Sequence, residues 1–285
     1  LVSYQQQPYA EQPVPAPAQA AQRPADVENN EQLFLTGLHL EQYRHATYKA
    51  TDYYEEALTR DDKDVRNNNA LGLWYLRRGQ FEKSESFFRK AIDTITQRNP
   101  NPYDGEPYYN LGMALTMQDK FDDAYSAFYK SIWNDAWQHA GYLSLARIAA
   151  LKKNYEDALD FIDKSLLKNY HSHTARHAKV FILRKLHQYK KAIACIDESL
   201  ALDPFNFGCL FEKYILLHNE NIEKADDVLN QLKSITRNNA NNFMEYAFDY
   251  AHAGLYEEAI QLLLIYKKHN DQNTLIAYYL GWLAY

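Results

Sequence analysis

The chain of 285 residues is poor in the features that usually betray a chemistry. It has two cysteines, Cys195 and Cys209, at a spacing that fits no zinc motif. Two buried thiols are therefore expected rather than a disulfide framework. Nine glycines and nine prolines in a chain this long exclude collagen-like and low-complexity classes. The net charge of -6 comes without any block of like charges, and there is no basic excess of the kind that nucleic-acid binding requires. No apolar run approaches the roughly 18 residues of a membrane span. The longest mostly apolar stretch, AIQLLLIY at 259–266, has the length of a buried helix. No Asn-x-Ser/Thr site occurs among many asparagines, which favours an intracellular chain. P-loop, dinucleotide fingerprint, nucleophile elbow and His-Glu-x-x-His are all missing. No catalytic residue, metal or cofactor is expected. The chain opens at Leu1 without a basic-then-apolar leader, and the missing Met suggests a piece of something longer.

What the chain does contain is a period. NNALGLWYLRRGQFEKSESFFRKAI at 68–92 and YNLGMALTMQDKFDDAYSAFYKSI at 109–132 share Leu-Gly, then small and aromatic residues at intervals of four and three. The small residue of the second half recurs at Ala50, Ser84, Ala124, Ala158, Ala192, Ala225 and Ala259, in steps of 34, 40, 34, 34, 33 and 34. A phase held over that distance means stacked supersecondary units, each too small to bury its apolar face alone. Gly72 supplies room at a close helix crossing, and Phe88, Phe128, Ile162, Ile196 and Leu263 follow at helical spacing to fill the space between hairpins. Val180 and Tyr214 stand where other units have Gly or Ala, so wider helix separation is expected there.

This pattern is similar to the tetratricopeptide repeat, a helix-turn-helix unit. The resemblance implies an all-α fold: a right-handed superhelix of about seven hairpins at 31–64, 65–104, 105–138, 139–172, 173–206, 207–239 and 240–273. A partial eighth, 274–285, has its Leu280-Gly281 in the place of Leu71-Gly72, and the chain is expected to stop inside that unit's first helix. The six extra residues around NPNPYDG at 99–105 are rich in turn formers and read as a longer surface loop.

Residues 1–30 differ in composition, with five of the nine prolines and much Gln and Ala, and read as an extended linker. That linker, followed by LTGLHLEQYRHAT, NNALGLWYLRRG and RNPNPYDGEPYYNLG, resembles a group of large bacterial proteins in which a β-rich, mutarotase-like domain precedes the repeats. The resemblance implies a cytoplasmic bacterial protein with a link to carbohydrate metabolism. It carries over no catalytic residue.

In HSHTARH, His173 and His177 are four apart and His171 lies just before. Imidazoles at that spacing can pair on zinc. No third ligand is fixed nearby, so helix-start and surface histidines are expected. In the resembled family the first helix of each hairpin lines a concave groove. Helix phase places Tyr43 there from the first unit, Asn69, Leu73 and Arg77 from the second, and Tyr109, Asn110 and Met113 from the third. Arg147, then His177, Phe181 and Arg184, then Phe211, Phe248 and Trp282 continue the line. Rings, Asn and Arg together suit an extended peptide, through apolar area, backbone hydrogen bonds and carboxylate anchoring. The expected function is a non-catalytic scaffold for a protein or peptide partner. The alternative is a structural arm packed on the β-rich domain. Residues 1–20, of this or a neighbouring chain, are expected to pack in a groove made basic by Arg77, Arg147 and Arg184.

Overall fold

A computed structural model describes residues 3–5, 16–17, 19–43, 46–218, 220–268 and 273–285. Among the described residues there are fifteen α-helices and no strand. They pair in chain order as α1 (Asn30–Gln42) with α2 (Ala50–Arg60), α3 (Val65–Leu76) with α4 (Phe81–Thr96), and α5 (Glu106–Thr116) with α6 (Phe121–Ser131). The next pairs are α7 (Asp135–Leu151) with α8 (Tyr155–Lys168), and α9 (His173–Lys185) with α10 (Tyr189–Leu202). Then come α11 (Phe207–His218) with α12 (Ile222–Ile235), and α13 (Ala240–His252) with α14 (Tyr256–Lys267); α15 (Thr274–Ala284) stands last. The expected all-helical hairpin solenoid is the fold.

Local chemistry sets the helix ends. Asn29, Asp64, Asn154, Ser172, Asn221 and Asn273 cap N-termini by accepting backbone N–H bonds with their side chains. Most hairpin turns put one residue in the left-handed region, five positions before the recurring small residue. It is Gly79 and Gly254 in two hairpins, but Asp119, Lys153 and His187 in three others. Gly254 answers a second demand, because a side-chain carbon there would lie 2.8 Å from Leu151 Cδ1 at the end of α7.

Packing inside each hairpin obeys a size rule. A side-chain carbon on Gly37 or Gly112 would lie 2.5 or 2.6 Å from Cε1 of Tyr54 or Phe128, and one on Gly72 would collide with Phe88 in the same way. Where the first helix has alanine, at Ala146 and Ala247, the second-helix residue in register is aliphatic, Ile162 and Leu263. Where it has Val180 or Tyr214, the register partner is Ile196 or Leu229. The larger first-helix residues are thus matched by smaller second-helix ones. The small residue holds the helices close: Ser84 Oγ donates to the Gly72 carbonyl at 2.9 Å. Cys195 and Cys209 are free and buried together with Val180 and Ile196, and burial raises both thiols.

The boundary of the front segment differs from the expected one. Residues 21–29, read as linker, are docked on the first hairpin. Val27 is buried against it. Tyr53 donates its hydroxyl to the Gln22 carbonyl at 2.7 Å, and Arg60 donates to the carbonyls of Val27 at 2.7 Å and Pro24 at 3.2 Å. Nothing in the composition of 21–29 announced this; the signal is Arg60, whose guanidinium donates to several carbonyls of one turn. Farther forward, Tyr4 is 88% exposed. Tyr9 and Val14, the other apolar side chains with which residues 1–20 could anchor in a groove, lie outside the described residues.

Candidate functional site

Successive first helices contact one another, α1 with α3, α3 with α5, α5 with α7 and α7 with α9, but the face they form is not one continuous groove. At its N-terminal end, α1, α3 and the residues just before and at the start of α5 enclose a cleft of about 410 Å³. Leu73 and Arg77 line it beside Phe34 and Glu41. Arg77 is ion-paired with Glu41, which also accepts the Tyr54 hydroxyl at 3.2 Å. Burial and the Glu41 charge together push the Tyr54 phenol up, so it is a permanent donor. Asn69 lines the cleft too, but its side chain is engaged: Nδ2 donates to Glu106 at 2.9 Å and Oδ1 accepts from Asn110 at 3.0 Å. Asn110 is buried behind it. Tyr43 is 73% exposed at the end of α1, tilted on His39. Tyr109 stacks on Trp137 at 4.8 Å and is tilted on Phe128, so its ring packs between hairpins.

Three residues from distant units converge farther along. Met113 of α5, Arg147 of α7 and Trp282 of α15 line one cavity of about 450 Å³. Its walls are mainly apolar, with Met117, Phe121, Ile148, Leu151 and Tyr256. Trp282 is 54% exposed at its mouth.

Past α7 the expectation of an accessible groove fails. His177, Phe181 and Phe211 are fully buried, and no ligand reaches them in this conformation. The cause is α13, which packs on α7 and α9 as well as on α11. Tyr250 and Tyr246 lie edge-on to the His177 ring at 4.6 and 5.4 Å, and Phe181 is edge-on at 5.4 Å. Asp249 Oδ2 is 3.5 Å from His177 Nδ1, too far for a hydrogen bond, and both ring nitrogens are unpartnered. Gly208 makes room for this, since a side-chain carbon there would strike the His177 and Tyr246 rings. Phe248 meets Tyr279 of α15 edge-on at 4.7 Å.

The groove is not basic either. Arg147 Nη2 donates to Asp249 at 2.6 Å. Arg184 makes a fork with Glu212, at 2.6 and 3.0 Å, and a third bond to Glu258 at 3.0 Å. Tyr250 donates to Glu212 at 2.7 Å, and Lys185 pairs with Glu258 at 2.6 Å. Burial opposes charge on Arg184, but Glu212, Tyr250 and Glu258 together outweigh it and raise the guanidinium. Burial likewise opposes charge on Glu258, yet Lys185 and Arg184 hold its carboxyl below the usual range. Glu212 and Asp249 stand next to Phe211 and Phe248, the residues that phase chose on α11 and α13, and Glu258 comes from a second helix, α14.

The histidine cluster does not assemble. His173 pairs with Asp203 at 3.2 Å, and His177 is core rather than surface. Among the described residues no group of three or more His, Cys, Asp and Glu converges to hold a metal. No described helix is long and apolar enough to cross a membrane.

Comparison with known proteins agrees with this architecture. The tetratricopeptide repeat family profile matches residues 69–103. A tetratricopeptide repeat protein of Parabacteroides merdae superposes with a TM-score of 0.63 at 13% identity, over 90% of this chain and 99% of that one. The structure of Pseudomonas aeruginosa pilF gives 0.61 at 19% identity, over 78% and 96%. In sequence, anaphase-promoting complex subunit 3 of Schizosaccharomyces pombe is 29% identical over 125 residues. That match covers 44% of this chain and 18% of the relative, so the chain spans well under two thirds of that protein. The matched unit and the shared fold support a tetratricopeptide repeat array, a fold consistent with a protein-interaction scaffold.

Proposed function

We propose that this chain is a non-catalytic interaction scaffold that binds an extended segment of a partner protein along its inner face, from the cleft beside Arg77 to the cavity beside Trp282. The convergence of Met113, Arg147 and Trp282 on one cavity carries the reading. An aliphatic or aromatic side chain of the partner enters between Met113 and Trp282, where methionine adapts to its shape. The partner strand continues past Leu73 and Arg77 in the cleft, and an acidic residue exchanges with Glu41 for Arg77. The relative of known role is a subunit of a complex, which suits a scaffold.

The three methionines make the test internally controlled. Met113 and Met117 line the cavity, whereas Met244 is buried in α13. Peptides selected from a displayed random library are titrated into chain labelled at methionine methyls. The expected result is shifted Met113 and Met117 resonances with Met244 unmoved. Peptides that bind without moving Met113 or Met117 would remove the proposed site.

A second reading has its own support. Tyr103, Tyr129 and Trp133 are exposed large rings around the end of α6, where Asn134 holds the Tyr103 carbonyl and Lys130 covers the Trp133 ring at 3.7 Å. Such a patch suits an arm packed on a further domain, such as the mutarotase-like β-rich domain of the resembled cytoplasmic bacterial proteins. Binding of an isolated domain of that kind, lost in Trp133→Ala, would establish it; no binding would end it.

A further inference from the structure

Among the described helices, the first helix of a hairpin rests on the second helix of the hairpin before it: α3 on α2, α5 on α4, α7 on α6, α9 on α8, α11 on α10 and α15 on α14. The helix α13 departs from this, making no such stack with α12 and reaching α7 and α9 across the inner face instead. The link between α12 and α13 is also unusual. Arg237 and Asn238 lie one after the other in the left-handed region, at φ 51° and 52°, where a residue other than glycine carries strain; the hairpin turns place a single residue there. Asn238 Oδ1 is buried without a partner. The side of α13 turned to the inner face is Tyr246, Asp249 and Tyr250, whose spacing puts them on one helix face. These three seal the groove: the two rings lie on His177, Asp249 accepts from Arg147, and Tyr250 donates to Glu212. The seal is imperfect, because His177 is fully buried with neither ring nitrogen bonded, which costs stability.

We propose that α13 stands in for an α-helix of a partner protein, and that hairpin α13–α14 is a lid, hinged at 236–239, over a second binding surface formed by α7, α9 and α11. The partner helix presents Tyr-x-x-Asp/Glu-Tyr in place of Tyr246, Asp249 and Tyr250. The first ring is specified because Gly208 leaves the hollow it fills; a side-chain carbon there would lie 2.5 Å from Tyr246. The acid is specified because Arg147 otherwise loses its carboxylate, and the last tyrosine because Glu212, beside Arg184, accepts a hydroxyl there. Its own chain tethers α13 and raises its local concentration. The strained link and the unbonded His177 work against that advantage, so a free helix can displace it. Exchange rather than stable opening is required, since Phe181 and Phe211 would otherwise be bared to water. Displacement also parts Glu258 from Arg184 and Lys185, and it takes His252 and Tyr256 away from the cavity at Met113. The second surface is thus available only when that cavity is dismantled, and the inference does not rest on the binding proposed for the cavity.

The sequence of α13 is itself the probe. A peptide of residues 240–254, stapled through the exposed positions 241 and 245, is labelled and titrated by fluorescence anisotropy into the 285-residue protein and into its variant Tyr246→Ala/Asp249→Ala, whose own α13 is loosened. Binding to the variant should be at least about ten-fold tighter than to wild type, because the tethered competitor is weaker. A peptide carrying the same two substitutions should bind the variant about ten-fold more weakly or worse. No saturable binding of the parent peptide to the variant overturns the proposal, as does equal binding of the two peptides. Native-state hydrogen exchange on the unaltered protein decides the matter if the variant does not fold. The amides of α13 and α14 should exchange together, at least about ten-fold faster than those of α9 and α10. Amides of α13 as slow as those of α9 would make it permanent core and end the lid. Methionine methyl resonances keep this result apart from that for the cavity: displacement of α13 moves Met244 as well as Met113 and Met117, whereas a peptide in the cavity leaves Met244 unmoved.

Discussion

Leu73 and Phe181 hold the same register in their hairpins, one after the residue at the close helix crossing, yet their surroundings are opposite. Leu73 borders an open cleft, and Phe181 is sealed under α13. The ion pairs follow suit. Arg77 meets Glu41 at the rim with about half its side chain exposed, whereas Arg184 is mostly buried between Glu212 and Glu258. One repeat pattern therefore builds an open cleft at one end and a second core at the other. The difference lies in what a later unit sends back across the inner face: Tyr246, Asp249 and Tyr250.

The largest test of this contrast is truncation of the paired side chains. Phe181→Ala should cost about 3–5 kcal/mol, as for a fully buried ring. Leu73→Ala, with less area to lose, should cost about 1 kcal/mol. Equal losses in chemical denaturation would mean that the cleft is as closed as the far half. Glu212→Ala should cost about 3 kcal/mol, because it leaves the Arg184 charge and the Tyr250 hydroxyl buried without their shared acceptor. Gly208→Ala should cost about 1–3 kcal/mol, because its methyl collides with two packed rings. Gly281→Ala, with open space around it, should gain about 0.5–1 kcal/mol from helix propensity alone. Thermal midpoints of the two glycine variants moving in the same direction would contradict the packing described for them.

How much of this could be read beforehand follows from range. The hairpins were legible because Leu-Gly and the recurring small residue repeat at fixed short spacing. Gly72 under Phe88 follows from that pattern. Met113 and Trp282 were assigned to the inner face by phase, and they do meet in one cavity. The plug was not legible. Arg147 and Asp249 are 102 positions apart, and no local period relates them. Phase chose Phe248 as the inward residue of α13 and passed over its neighbours. Asn69 and Asn110 looked like free amides because their mutual bond joins two different units. The docking of 21–29 hid in a proline-rich composition, since the deciding group, Arg60, lies a hairpin away.

Acid gives a smaller effect in the closed half. The Glu258 carboxyl is held below its ordinary value, so the folded state binds its proton less readily than the unfolded chain does. Its contribution is present above the unfolded value of about 4.3 and is lost as pH falls through the folded value. Stability of Glu258→Gln should therefore fall less steeply than wild type below about pH 4.3, with parallel curves between pH 5 and 7. Curves that stay parallel throughout would mean that Arg184 and Lys185 do not hold this carboxylate.

The smallest expected change tests the open end. Glu41→Gln removes the charge opposite Arg77 but keeps an oxygen to accept from the Tyr54 hydroxyl. Arg77 reaches water, so its pair with Glu41 is screened and should be worth less than about 1 kcal/mol. The variant should unfold within that margin of wild type. Its effect on binding should be larger than its effect on stability, because Arg77 no longer has to leave Glu41 to meet an acidic residue of a bound segment. Calorimetric titration with an acidic peptide from the selected library should show tighter binding to Glu41→Gln, and the gain should shrink with added salt as screening increases. A stability loss as large as that of Glu212→Ala would show that Arg77 is as enclosed as Arg184. Unchanged affinity would show that Arg77 takes no part in holding the segment, leaving the apolar cavity between Met113 and Trp282 as the whole of the grip.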